Sequence, residues 1–309
     1  MSMDIQDRQS VAAVAANHAD REKRRAAASS VGAAIGLTSM KIVVGLLTGS
    51  LGILAEAAHS GFDLLAAAMT FFAVRFSGKP ADREHPYGHG KMESLSALFE
   101  TLLLLGTCLW IIYAATNRLI NRRIEVEVTF WSFAVMGISI VVDISRSRML
   151  YRTARKHKSH ALEADALHFS TDIWSSAVVI VGLAAVAIGD RLERLDFLDY
   201  ADAVAAIMVG VVVLQVSVKL GLRTIHTLLD TAPAGLEDKI IAAVQSMPSV
   251  ANCHRVRIRH SGPQVFVDLH VLVDGRQSLR KAHDLTEQIE QTILKIAPDA
   301  DVTVHPEPV

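Results

Sequence analysis

Two stretches of the chain carry one pattern: Glu56-Ala57-Ala58-His59-Ser60-Gly61-Phe62-Asp63 and Asp165-Ala166-Leu167-His168-Phe169-Ser170-Thr171-Asp172. Each reads acid-x-x-His-x-x-x-Asp, inside an apolar run that meets the length of about 20 residues a bilayer demands. Residues four apart share a helix face. His59 therefore sits over Asp63 and His168 over Asp172, and two such helices side by side would bring four ligands round one ion. An ionisable side chain at mid-bilayer costs about 2.5–3.5 kcal/mol, which marks these residues as functional candidates. Two imidazoles and two carboxylates suit tetrahedral Zn²⁺, at ligand distances of about 2.0–2.2 Å. The plainer reading is a pair of interhelical His–Asp hydrogen bonds that hold a bundle together. Glu56 and Asp165, three residues ahead of each His, read as orienting or interfacial charges.

The rest of the composition agrees with a membrane setting. Of 309 residues, 51% are hydrophobic, and the mean hydropathy is +0.32. Both values predict a polytopic α-helical membrane protein. A net charge of -1 gives no reason to expect nucleic acid as a partner. Cys108 and Cys253 form neither a CxxC pair nor a disulfide framework. No GxxxxGK[ST] loop for nucleotide phosphates occurs, and no HExxH set for a metalloprotease. Residues 1–27 form an N-terminal segment. Met1 to Arg25 lacks the apolar core of a cleavable signal, so insertion is expected to rely on the first spanning helix.

Six apolar segments, near 28–49, 52–76, 92–117, 128–150, 163–189 and 199–221, predict a six-helix transmembrane domain over 28–221. The short link at Gly49-Ser50 makes the first two antiparallel neighbours. Gly32, Gly36, Gly45 and Ala66–Ala68 suit close helix packing in lipid. Arg21, Lys23, Arg24 and Arg25 precede the first helix, and Arg146, Arg148, Arg152, Arg155, Lys156 and Lys158 crowd the fourth-to-fifth connection. The opposite connections carry Arg118, Arg122 and Arg123, then Arg191 and Arg194. The positive-inside rule puts both termini in the cytoplasm. The second and fifth helices then run in opposite senses, the mark an inverted three-plus-three repeat would leave. Two motifs that arose separately around one ion would look the same.

Residues 222–234 read as a linker, and 235–309 as an αββαβ cytoplasmic domain. Helical spacing over 235–246 ends at Pro248. Alternation over 254–260 and 264–273 brackets Ser261-Gly262-Pro263 as a hairpin. A second amphipathic helix covers 278–296, and Val302–His305 closes as a short strand. His254, His270, His283 and His305, with Glu307 behind them, are either a metal set gathered by this fold or scattered surface histidines. Asp82, His85 and His89 form a third set on a Pro- and Gly-bent connection, where a polar loop is the plainer reading.

These residues together resemble the cation diffusion facilitator family of metal transporters, in particular its bacterial zinc and iron efflux members, over about residues 27 to 307. The resemblance rests on the two His/Asp pairs, on His85-Pro86-Tyr87-Gly88-His89-Gly90-Lys91-Met92-Glu93, and on Arg257-Ile258-Arg259-His260-Ser261-Gly262-Pro263. It implies a ferredoxin-like, metallochaperone-like cytoplasmic domain and a homodimeric metal–proton antiporter, not an enzyme, exporting divalent cations across a bacterial inner membrane.

By that resemblance His59, Asp63, His168 and Asp172 are the transport site. Asp82, His85 and His89 are a loop metal site. His254, His270, His283 and His305 form a cytoplasmic site whose metals steady the dimer. Lys91 and Asp230 form a charge pair that interlocks helices. Glu307 stands where the relatives carry aspartate, and His59 where many of them carry aspartate. Imidazole in place of carboxylate favours Zn²⁺ and Cd²⁺ over Mn²⁺ and Mg²⁺. The expectation is thus Zn²⁺ as cargo and as a bound structural ion, with protons as counter-ion. Export of iron, cadmium or cobalt is the neighbouring alternative, and a non-transporting membrane metal sensor the alternative of another class.

Overall fold

The computed structural model describes residues 5–49, 51–121, 130–189 and 198–309. Ser50 and the connection arginines Arg122, Arg123, Arg191 and Arg194 lie outside the described residues. Six long helices come first: α1 (Ile5–Thr48), α2 (Leu51–Ser77), α3 (Lys91–Asn121), α4 (Phe130–His157), α5 (His160–Gly189) and α6 (Leu198–Leu228). Among the described residues, four stretches are long and apolar enough to cross a membrane: His18–Thr48, Glu56–Ser77, Lys91–Asn117 and Ile207–Leu228.

The helices pair as α1 with α2, α4 with α5, and α3 with α6. Small residues make the close contacts. A side chain on Gly45 would meet Leu54, and one on Gly210 would meet Ile112. Large apolar side chains such as Leu47, Leu65 and Val141 are more than 60% exposed on the outer faces. An exposed apolar belt of that extent marks a surface in contact with something other than water.

Three boundaries differ from the sequence reading. α4 runs to His157, so that Arg146, Arg148, Arg152, Arg155 and Lys156 of the expected connection are helical. α1 is continuous from Ile5, so residues 5–27 are helical. Alanine, arginine, lysine and glutamate are strong helix formers, and they need no apolar core to continue a helix. α6 runs on to Leu228, well into the expected linker, and stops at Asp230, whose φ of 58° is left-handed.

The C-terminal unit is α7 (Leu236–Gln245), β1 (Asn252–Ser261), β2 (Gln264–Val273), α8 (Leu279–Ile296) and β3 (Ala300–Pro308). β2 is central, antiparallel to β1 and parallel to β3. α8 presents Leu285, Ile289 and Ile293 at four-residue spacing, each under 8% exposed, to Val267, Leu269 and Val271 of the sheet. Helical and strand periodicities thus bury a common core.

The hairpin turn of this unit docks on the connection between α2 and α3. Gly262 has a φ of 61°, and Gly90 lies directly on the Ser261–Gly262 backbone, where any side chain would collide. Arg259 lies over the Tyr87 ring at 3.8 Å, and Tyr87 meets Phe266 edge-on at 5.3 Å.

Candidate metal centres

In the helical region the doubled motif comes together across α2 and α5. The Nε2 of His168 lies 3.1 Å from Asp63 Oδ1 and 3.6 Å from Asp172 Oδ2. His59 Nε2 lies 3.9 Å from the same Asp63 oxygen. Tetrahedral ligands at about 2.1 Å from an ion stand about 3.4 Å apart. The two separations from His168 bracket that spacing, and all three ligand atoms lie within 4.8 Å of one another. His59 is half an ångström wide of it. His168 is 5% exposed, whereas the His59 side chain is 43% exposed. The four therefore divide into a closed triangle and a fourth arm on its open side.

That open side is a cavity of about 580 Å³ lined by His59, Asp63 and Asp172, with Lys41, Glu56, Asp143 and Arg146. It is bounded by the Leu51 end of α2 and the second half of α3. Lys41 donates to Glu56 at 3.3 Å and to Ser60 Oγ at 2.7 Å. The opposite direction is closed. Phe169, Leu150, Leu162, Ala27 and Val74 form a buried apolar plug beneath the triangle, and the Arg146 guanidinium lies 3.5 Å over the Phe169 ring. Arg146 also donates to Ser30 Oγ at 3.0 Å, which donates to Asp165 at 3.2 Å. Asp165 thus binds α1 and α4 rather than His168.

The sequence reading did not single out Lys41 or Asp143, and it took Lys23 and Arg146 for charges at the membrane surface. Both are buried in the bundle, Lys23 against Glu93. Charges inside apolar helices were the available signal.

The loop set is also brought together. Asp82 Oδ1 lies 3.3 Å from His85 Nδ1, and Asp82 Oδ2 lies 3.5 Å from His89 Nε2. Asp82 accepts the backbone N–H groups of His85 (2.7 Å) and Glu84 (3.0 Å), which hold its carboxyl below the usual range. Gly88, with a φ of 75°, lets the loop turn back so that its N–H reaches the His85 carbonyl.

In the C-terminal unit the sheet register builds the third set. His254 pairs with His270 across β1 and β2, and His270 with His305 across β2 and β3, so the three histidines form a row. Glu307, two residues on and therefore on the same face, turns back into that row. Its carboxylate lies 2.8 Å from His270, 3.3 Å from His254 and 3.9 Å from His305. The hydrogen bond from His270 is the largest cause holding its carboxyl below the usual range. The extra methylene relative to aspartate is what lets it span the row. His283 stands apart from this group on exposed α8, 3.4 Å from Glu287 one turn on. Lys91 and Asp230 form an ion pair of 2.8 Å between the start of α3 and the end of α6.

A helical bundle with His/Asp groups at its centre, and a three-stranded metal-ligand domain docked beneath it, defines a membrane metal-handling protein. Residues 27–229 match the family model of the cation efflux transmembrane domain, and residues 232–309 that of the cation efflux protein cytoplasmic domain. The cation-efflux pump FieF of Serratia proteamaculans is 34% identical over 278 residues, covering 88% of each chain. The FieF pump of Cronobacter sakazakii is 33% identical over 285 residues, covering 92% of each. The metal-bound C-terminal domain of the CzcD transporter from Thermotoga maritima is 43% identical over 24% of this chain and 86% of that one, with a TM-score of 0.23. The chain belongs to the cation diffusion facilitator family of cation efflux proteins.

Proposed function

We propose that this chain is a secondary transporter that exports divalent metal ions, with Zn²⁺ as the preferred cargo, in exchange for protons. The observation that carries the reading is the Asp63–His168–Asp172 triangle at the foot of an open cavity, with His59 on the cavity side. α1 to α6 supply the six spans within residues 28–228, with residues 5–27 a helical extension of α1 and a short link after Leu228 leading to the cytoplasmic unit 235–309. Both termini lie in the cytoplasm of a bacterial inner-membrane protein. The cavity then faces away from the cytoplasm, and the Phe169 plug and Lys23–Glu93 pair lie on the cytoplasmic side. α2 and α5 run antiparallel, as halves of an inverted repeat would.

The residues account for exchange without an energy source beyond a proton gradient. Ligands must be deprotonated to hold metal, so protonation of the site expels the ion and metal binding expels protons. A histidine with an ordinary pKa of about 6.5 titrates in the working range. His59, exposed to the cavity, meets external protons first. Asp63 is shared by both histidines, so a proton on either one weakens the whole set. Alternation of access requires the helices around α2 and α5 to shift against α3 and α6.

Asp82, His85 and His89, and separately His254, His270, His305 and Glu307, fit resident metal ions. Both sets put nitrogen and carboxylate oxygen atoms within 4.8 Å of one another among three of their residues. The second would steady a homodimer, with His283 in reach only of a neighbouring copy. The deciding experiment is metal flux into proteoliposomes under an imposed pH gradient, comparing Zn²⁺ with Fe²⁺, Cd²⁺ and Co²⁺. Gradient-driven Zn²⁺ flux that vanishes in Asp63→Ala/Asp172→Ala supports the proposal. Full flux in that variant overturns the site, and gradient-independent flux overturns the exchange. No flux of any metal in the intact protein would favour a sensor.

A further inference from the structure

We propose that the furrow between α4 and α6, floored by α5, holds one anionic glycerophospholipid. The assignment to the cytoplasmic leaflet rests on the orientation given above; the binding site itself does not. α4 and α6 each pack against α5, and a cavity of about 930 Å³ lies between them. Its floor is Glu163, Ala166, Leu167 and Ser170, one face of α5 at helical spacing. Ala166 and Ser170 are small, which deepens it. Tyr151, Val216 and Leu222, at 42%, 42% and 53% exposure, form open apolar walls. The α6 wall runs from Val216 to His226, about 15 Å at 1.5 Å per residue, which is half of a hydrocarbon core about 30 Å thick. The furrow has the length of one leaflet.

Arg223 stands toward the His226 end, where an adjoining cavity of about 540 Å³ adds Arg155 and Lys158. Lys219, three residues from Val216, and Arg148, three residues before Tyr151, stand further along the walls. The two cavities meet at Glu163, Arg223, His226 and Thr231. Glu163 is the acid among these lining residues, and it is already paired with Arg223. Arg155 stacks 4.7 Å over the Tyr151 ring, and Lys158 pairs with Asp299. Neither Arg148 nor Lys219 has a carboxylate partner among the described residues.

In the adjoining cavity the buried Nδ1 of His160 has no hydrogen-bond partner among the described residues. A furrow of leaflet length that is basic at its Arg223 end, with two further long basic side chains along its walls, suits a phosphate headgroup with acyl chains. A free anion would not need the apolar length. A second copy related by two-fold symmetry would bring its own cations against these.

The test uses purified full-length protein in detergent, with dioleoyl-phosphatidylglycerol titrated against dioleoyl-phosphatidylcholine, read by native mass spectrometry and thermal unfolding. The expected result is one tightly retained phosphatidylglycerol that raises Tm, and no such effect of phosphatidylcholine. Arg148→Gln/Lys219→Gln should bind it about thirtyfold more weakly, because each basic side chain at an anionic headgroup contributes about a fivefold factor. Arg148→Lys/Lys219→Arg should bind it normally, which separates charge loss from misfolding. Arg21→Gln/Arg25→Gln, an equal charge change on α1, should leave binding unchanged.

Equal binding by wild type and the glutamine variant overturns the proposal. So does equal stabilisation by phosphatidylcholine, or a full effect from glycerophosphoglycerol, the headgroup without chains. Interprotomer disulfide formation by Val216→Cys would also overturn it, by showing that a second copy fills the furrow. Because no readout is metal flux, lipid retention with no transport would sink the exporter reading and leave this one standing.

Discussion

Lys23 Nζ donates to Glu93 Oε1 at 2.8 Å across seventy residues of sequence, and both side chains are at most 4% exposed. Ser77 Oγ donates to the same oxygen at 3.0 Å, and Ser159 bonds the other. One carboxylate thus ties α1, the end of α2, the start of α3 and the α4–α5 link at the end of the bundle away from the open cavity. Removing Glu93 leaves buried Lys23 with only the partly exposed Asp20, 3.2 Å away, and breaking a buried pair costs up to about 3–5 kcal/mol. Glu93→Ala should therefore lower thermal stability steeply, while Lys23→Met/Glu93→Leu recovers most of the loss. A double variant no more stable than the single one would deny that the pair acts as a unit.

The two histidines of the helical site should differ in consequence. His168 contacts both carboxylates and is buried, whereas His59 is half exposed and approaches Asp63 alone. His168→Ala is expected to abolish measurable Zn²⁺ binding. His59→Ala should weaken it by roughly tenfold to a hundredfold, the range seen for residues that support rather than make a metal set. His59→Asp should shift selectivity away from Zn²⁺ towards harder cations. Calorimetric titration with Zn²⁺, Cd²⁺ and Mn²⁺ reads all three outcomes.

The cytoplasmic set predicts linked metal and pH effects. Glu307 is held below its ordinary pKa chiefly by His270. Its contribution is therefore present above the ordinary carboxylate value and fades only as pH falls through the lowered one. Chelation at pH 7.5 should lower the Tm of the metal-loaded protein, and lowering pH from 7.5 to 5.5 should lower it without chelator, since metal must compete with protons. Glu307→Gln should bind Zn²⁺ more weakly and show a smaller chelator effect. A chelator effect equal to wild type would remove Glu307 from the set.

His260, beside the docked hairpin turn, carries a pKa lowered first by burial and then by Lys158. A base whose folded pKa lies below the unfolded value of about 6.5 stabilises the fold above that value and loses the contribution as pH falls beneath it. Thermal unfolding of wild type should therefore decline between pH 7 and pH 5.5 more than that of His260→Gln. Parallel curves for the two proteins would contradict this assignment.

Gly90 tests the docking itself. Its missing side chain admits the Ser261–Gly262 backbone, and forcing atoms into a packed contact costs about 1–3 kcal/mol. Gly90→Ala should destabilise the protein by that amount and quicken proteolysis between α6 and α7. A variant with wild-type stability and protease resistance would mean that the two units do not bear on each other there.

The doubled motif was legible because its information is local: four-residue spacing on a helix states which His stands over which Asp. The C-terminal elements were legible for the same reason, period two giving way to period 3.6. What escaped the sequence reading depends on distant partners. Ser30, Arg146 and Asp165 join three helices, and nothing in the local pattern of any one names the others. The fate of His283 and Glu307 was decided by strand register: β3 pairs so that His305 and Glu307 face His270, while α8 packs its apolar face and leaves His283 outward. The length of α1 was missed because helix propensity continued where apolar character did not.

Four successive residues at the start of α3 each hold a different part of the molecule. Gly90 meets the cytoplasmic hairpin, Lys91 the end of α6, Met92 closes the backbone bond to His89 of the loop cluster, and Glu93 gathers α1 and the α4–α5 link. They span about one helical turn. That turn is a hub on which every moving part must pivot, so a tilt of the cytoplasmic unit and a tilt of the helices cannot be independent. A single-residue insertion there would rotate each neighbour by about 100° and uncouple all of them together.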